Sequence, residues 1–181
     1  MEFYKKISLK DGNTCILRNA ESSDAEAFLH YFELAHRETN FLTTYPDEST
    51  HTVNQMAAHL GDTKASKTDI EICALVHEKI IGSAGISMVH DREKTRHRAE
   101  FGISIVKDYW ELGIGSELIN SCIECAKKAG FLQIELDVVA DNVSALHLYK
   151  KYGFVEFGRN PRGFRTREGA WQELISMRLE L

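Results

Sequence analysis

The sequence predicts a mixed α/β chain, a sheet covered by helices without a regular βαβ alternation. Three observations carry this reading. Hydrophobic periodicities occur in the order β, two helices, a meander of three strands, then β-α-β-α-β-β. The pair Glu78-Lys79 makes the first connection of the meander short enough for a hairpin. A glycine-bearing turn, Tyr109-Trp110-Glu111-Leu112-Gly113-Ile114-Gly115-Ser116, leads straight from an apolar strand into an amphipathic helix.

The elements follow in order. Thr14 to Leu17 reads as the first strand. Ser22-Ser23-Asp24-Ala25-Glu26 supplies an N-cap and first-turn acids for a helix whose Ala25, Phe28, Leu29, Phe32 and Ala35 follow helical spacing. A loop, Phe41 to Asp47, precedes a second helix over about His51 to Leu60. Ile70–His77, Ile80–Val89 and Ala99–Val106 form the meander. The helix after Gly113 runs to Ala129 and ends on Lys127, Lys128 and Gly130, all C-terminal signals. Ile134–Val139 is a strand, and Asp141-Asn142-Val143-Ser144 caps a short helix through Lys151 that Gly153 stops. Phe154–Gly158 and Ala170–Leu179 close the chain as strands joined by a basic loop holding Arg159, Arg162, Arg165 and Arg167.

At 181 residues and 43% apolar composition the chain suits one well-filled core, and residues 1–181 are read as a single domain. A net charge of −5 argues against a nucleic-acid partner. No apolar run approaches membrane-spanning length and the first residues lack a secretory pattern, so a cytoplasmic protein with no membrane partner is expected. Cys122 and Cys125 form a C-x-x-C, but they fall in the apolar stripe of a helix with Leu118, Ile119 and Ala126 and have no second ligand pair. They read as core, and no metal is expected.

The glycine turn is an anion site. Glycines allow close backbone approach, the first helical N–H groups lack intrahelical partners, and the helix dipole favours negative charge, so the expected ligand is a phosphate or pyrophosphate. A dinucleotide fingerprint would need a small residue where Leu118 stands, although Glu135 or Asp137 lies near the distance of a ribose-binding acid. A P-loop would need Gly-Lys-Ser or Gly-Lys-Thr, which is absent.

The segment Trp110-Glu111-Leu112-Gly113-Ile114-Gly115 resembles the Q/R-x-x-G-x-G/A loop of the GNAT superfamily of acyl-CoA-dependent N-acyltransferases, with Trp110 in place of the usual Gln or Arg. A second block, Asn142 to Phe154, is similar to that superfamily's N-x-x-A-x-x-L-Y-x-x-x-G-F segment at every marked position. The resemblance implies an α/β (α+β) fold with a mostly antiparallel twisted sheet, helices on both faces and a splayed central strand pair. It implies acetyl-CoA as cosubstrate, held by Ile103 and Ile105 on the splayed strand, by Trp110, Glu111, Leu112, Gly113, Ile114, Gly115 and Ser116 in the turn, and by Asn142 and Tyr149. Asn142 reads equally as a plain N-cap.

A thiolate leaving group needs a proton, and the Tyr149 phenol is a reasonable general acid; packing is its other reading. Alternation puts Glu100, Gly102 and Ser104 on the face opposite Phe101, Ile103 and Ile105, and related enzymes carry an acid at the place of Glu100 that acts as base through a water. A solvent-exposed strand carboxylate is the alternative. The resemblance assigns acceptor recognition to Phe41–Asp47 and Arg159–Arg167. The arginines suit an acidic acceptor and Asp47 and Glu48 suit a cationic one, and the choice stays open.

The function implied is transfer of an acetyl group to a primary amine of a small molecule or peptide by direct attack, and a homodimer is compatible with it. A noncatalytic acyl-CoA-binding module is the alternative, and a nucleotide-dependent oxidoreductase a third.

Overall fold

The computed structural model describes residues 1–48 and 51–181. One eight-stranded sheet runs β1-β2-β3-β4-β5-β6-β8-β7. Its strands are β1 (Tyr4–Ser8), β2 (Thr14–Asn19), β3 (Ile70–Val76), β4 (Lys79–Met88), β5 (Arg98–Ile105), β6 (Gln133–Val139), β7 (Val155–Arg165) and β8 (Trp171–Glu180). The helices are α1 (Ala25–Arg37), α2 (Val53–Ala65), α3 (Ile114–Ala129) and α4 (Val143–Lys151). Every neighbouring pair of strands is antiparallel except β5 and β6. The fold class expected from the sequence is the one observed.

Helices cover both faces. Ile114, Leu118, Ile119, Cys122 and Cys125 of α3 and Tyr149 of α4 join one core with Ile72, Ala84, Phe101 and Ile134 of the sheet. Phe28 and Tyr31 of α1 and Met56 and Leu60 of α2 pack on Cys73, Leu75 and Ile80 across the other face. The C-x-x-C cysteines are at most 1% exposed, and burial raises both thiols, as expected of core residues.

Local chemistry sets the ends. Thr52 and Gln55 form a reciprocal capping box at the start of α2. Asp24 reaches back to the Glu21 amide and takes both Arg18 guanidinium nitrogens, at 2.6 and 2.8 Å, fixing the entry of α1. The β3–β4 turn falls one residue earlier than expected, on His77 and Glu78, whose φ of 47° and 64° match a two-residue primed turn.

Three expectations need correction. Tyr4–Ser8 is an edge strand paired with β2 that the sequence reading left out; it has no fully buried residue, so its apolar signal is faint. The segment holding Arg159, Arg162 and Arg165 is strand rather than loop, because β7 continues to Arg165 through a break in register between Asn160 and Phe164 that accommodates Pro161. Helix α2 also extends to Ala65, beyond its last buried residue, Leu60.

Candidate active site

The sheet opens at its centre. Strands β5 and β6 pair over only three positions, Arg98 with Gln133, Ala99 with Ile134 and Glu100 with Glu135, although both strands continue. From Phe101 onward one edge of β5 therefore has no strand partner. Arg98 grips the Glu135 carboxylate with two nitrogens at the vertex and holds that carboxyl below its usual range, so one of the two acids considered for a ribose is committed to the fold.

The glycine turn follows β5 directly. Gly113 has φ 98°, a conformation costly for any residue with a Cβ, and no atom would crowd a side chain there, so backbone geometry alone calls for glycine. Gly115 is glycine for a different reason: an added Cβ would lie 3.0 Å from Leu148, where α3 meets α4. The first bond of α3 runs from the Glu117 amide to the Gly113 carbonyl, leaving the amides of Ile114, Gly115 and Ser116 as its first-turn donors. The Trp110 indole donates to the Ile105 carbonyl at 2.6 Å, tying the turn to the end of β5. Its one N–H is thereby occupied, and the turn offers anions backbone donors.

A cavity of about 730 Å³ lies between α1, α2 and the sheet and reaches through the open centre to Asn142 and Tyr149. Its floor holds Glu71, Gly85, Glu100, Gly102 and Ser104. Alternation along β5 is as expected: Phe101 enters the core under α3, whereas Ser104 meets the Tyr31 hydroxyl, which donates to its carbonyl at 2.9 Å. Glu100 is exposed and opens into the cavity. Ile103 and Ile105 are partly buried beside the α3 core.

Glu71 is the group the sequence reading missed. It is the one charged residue of β3, opposite Gly85, which is in turn opposite Gly102 of β5. A Cβ on Gly85 would collide with the Glu71 carboxylate, so that carboxylate lies across β4 towards Gly102. Burial raises its pKa to about 7, against the opposing effect of the Ser83 hydroxyl. The available signal was a single acid in the otherwise apolar run Ile70 to Val76, together with glycines at facing positions of two later strands.

Tyr149 is 7% exposed, and its ring is set edge-on to Phe101, with centroids 6.3 Å apart, and tilted against Phe154 at 5.8 Å. Burial raises its phenol above the ordinary value, and no hydrogen bond offsets that rise. The Asn142 side chain accepts the Ala145 amide at 3.2 Å as the cap of α4 while lining the cavity. Loss of a cap costs about 1 kcal/mol. Asn142→Ala should therefore lower Tm by about 2–4 °C without ligand in thermal unfolding; an unchanged Tm would show that the cap is dispensable.

The structure joins the two segments assigned to acceptor recognition. The Tyr45 hydroxyl accepts the Arg167 amide at 3.0 Å, Asp47 accepts from the Arg167 guanidinium at 2.5 Å, and Gln172 donates to the Asn40 carbonyl at 3.1 Å. Arg159 pairs with Glu156 and Glu173, while Arg162 and Arg165 lie over the Trp171 ring. None of these arginines lines the cavity, whereas Phe41 and Phe164 do.

Comparison with known proteins agrees with this geometry. The L-amino acid N-acetyltransferase AaaT of Escherichia coli K12 is 29% identical over 90% of this chain and 95% of its own length. The crystal structure of an acetyltransferase of the GNAT family from Streptococcus pneumoniae superposes with a TM-score of 0.89 at 31% identity, over 92% of this chain and 99% of that one. The structure of yncA, a putative acetyltransferase from Salmonella typhimurium with its cofactor acetyl-CoA, superposes with a TM-score of 0.81 at 17% identity, over 92% and 94%. With residues 27–154 matching the model of the Acetyltransferase (GNAT) family, this chain belongs to the GNAT family of N-acetyltransferases.

Proposed function

We propose that residues 1–181 act as one transferase that moves an acetyl group from acetyl-CoA to a primary amine by direct attack. The observation that carries this is the opening between β5 and β6, where the cavity reaches Asn142 and Tyr149 beside the strand that leads into the glycine turn. Amides of Ile114, Gly115 and Ser116, with Glu111, Leu112 and Gly113 shaping the turn, receive the pyrophosphate. Trp110 acts by fixing the turn to Ile105. The free edge of β5 around Ile103 and Ile105 offers backbone groups to the pantetheine amides. This delivers the thioester between Asn142 and Tyr149 at the cavity floor.

The amine attacks from the cavity over Gly102, forming the C–N bond as the C–S bond breaks. Tyr149 gives its proton to the departing sulfur. Before the attack the ammonium gives one proton to Glu71 through a water held by Glu100, and the second proton that nitrogen releases after the attack restores the Tyr149 phenol. The pKa of Glu71 suits a proton acceptor near neutral pH. The open cavity and Tyr149 favour this enzyme over a noncatalytic acyl-CoA-binding module.

Acetyl-CoA should raise Tm where NAD and NADP do not, and CoA should be released in a panel of amines covering polyamines, amino acids, aminoglycosides and peptides. Stabilisation by a dinucleotide, or no CoA release with any amine, would defeat the proposal. A homodimer is not required, since every group named lies on one chain.

A further inference from the structure

The cavity carries an unbalanced set of charges. Asp69, Glu71, Glu100 and Asp137 line it, and among the described residues no lysine or arginine does. The histidines present do not redress this: the buried imidazole of His36 is engaged with the Phe32 carbonyl at 2.8 Å, and burial lowers its pKa, which favours its neutral form. His51 and His59 sit on the α2 side. The nearby cations are neutralised elsewhere. Arg98 is committed to Glu135, Arg159 to Glu156 and Glu173, and Arg167 to Asp47.

The carboxylates are also spread apart. Asp69 precedes β3 and accepts from the Met88 amide, Glu71 stands on β3, Glu100 on β5 and Asp137 on β6, where it accepts from the Ser176 hydroxyl, so the charge extends across the floor instead of gathering at one point. Gly85, against which the Glu71 carboxylate lies, and Gly102 opposite it put no side chain between that carboxylate and β5. Above it, Phe28, Phe32, Phe41 and Phe164 give the cavity an apolar wall. One ammonium would pair with one carboxylate and leave the other acids of the floor without a cation. An acceptor carboxylate would face these acids and find no fixed cation.

We infer that the acceptor is an aliphatic amine bearing at least two positive charges and no carboxylate, a diamine or polyamine. Its reacting nitrogen lies over Gly102 between Glu71 and Glu100, its hydrocarbon chain lies against the phenylalanines, and its second cation faces Asp69 or Asp137. This rests on the acetyl-transfer reading above and adds the substrate class to it. It separates this chain from the relative whose named acceptors are L-amino acids.

A length-matched series tests it with the wild-type protein: 1,5-diaminopentane, pentylamine and 5-aminopentanoate, which carry net charges of about +2, +1 and 0 near neutral pH. Released CoA gives kcat/KM for each, and acetyl-CoA affinity is measured on the same preparation. The expected order is diamine, monoamine, amino acid, with at least about tenfold between the first and last. Added salt should raise KM for the diamine most steeply. A flat or reversed order, with acetyl-CoA bound and CoA released, overturns the substrate class and leaves acetyl transfer standing. Failure to bind acetyl-CoA overturns the reading beneath it.

Discussion

Glu71→Gln should lower turnover by about 100-fold and erase the ionisation near pH 7 from the pH dependence of kcat/KM. In the wild type, kcat/KM should rise as pH increases through about 7, because only the unprotonated carboxylate can accept the ammonium proton. The same substitution should stabilise the fold at high pH. The native pKa of Glu71 lies above its unfolded value, so its contribution to stability is fully present below about pH 4.5 and is lost as pH rises through about 7. Above that point the ionised carboxylate costs roughly 2–3 kcal/mol, since one pKa unit corresponds to about 1.4 kcal/mol and the cavity gives the group some access to solvent. Glutamine is neutral, close in shape and still able to bond Ser83. Thermal unfolding should therefore show Glu71→Gln several degrees more stable than wild type at pH 8, with the gap nearly closed at pH 5. A matched loss of stability at both pH values would make Glu71 a structural residue. Glu100→Gln is the control: it should slow turnover while keeping the pH 7 inflection, and if that inflection moves with Glu100 instead, the proton goes there.

The expected loss of stability at high pH reflects how the site is built. A charged group on a sheet strand covered on both faces costs free energy, and Gly85 makes room for it, because a Cβ there would collide with the Glu71 carboxylate. Glu71 is thus legible only when three strands are set side by side. In sequence, Glu71, Gly85 and Gly102 lie on separate elements, and no local periodicity connects them. Residues whose roles depend on local spacing were readable. Gly113 and Gly115 sit in the turn, Asn142 caps α4, and Glu100 alternates with Phe101, because helix starts and strand faces are properties of neighbouring residues. The buried faces of α1 and α3 could also be read from their apolar stripes.

Where long-range pairing decides the outcome, the sequence says less. β1 exists because β2 offers it an edge, and β7 crosses Pro161 because β8 holds both of its ends in register. The arginines between Arg159 and Arg167 looked available for a ligand, since their contacts with Glu156, Glu173 and Trp171 depend on the pairing of β7 with β8, and that of Arg167 on the distant Asp47. Engaged with those partners, none of these arginines lines the cavity.

Tyr149→Phe should lower kcat at least about tenfold while changing acetyl-CoA affinity by less than about twofold. The substitution removes one hydroxyl and preserves the ring packing against Phe101 and Phe154, so α4 and the Asn142 cap should be undisturbed and Tm should hold within a few degrees. Burial makes the phenol retain its proton throughout the neutral range, which keeps it a donor at every pH where Glu71 is ionised. The same apolar setting raises the demand for a proton as negative charge develops on sulfur, so a weak acid is matched to a base generated only during the reaction. The two substitutions should then differ in kind. Glu71→Gln removes the inflection near pH 7, whereas Tyr149→Phe lowers the plateau and leaves the inflection in place. Near wild-type turnover in Tyr149→Phe would reduce Tyr149 to a packing residue and require that solvent protonate the departing thiolate.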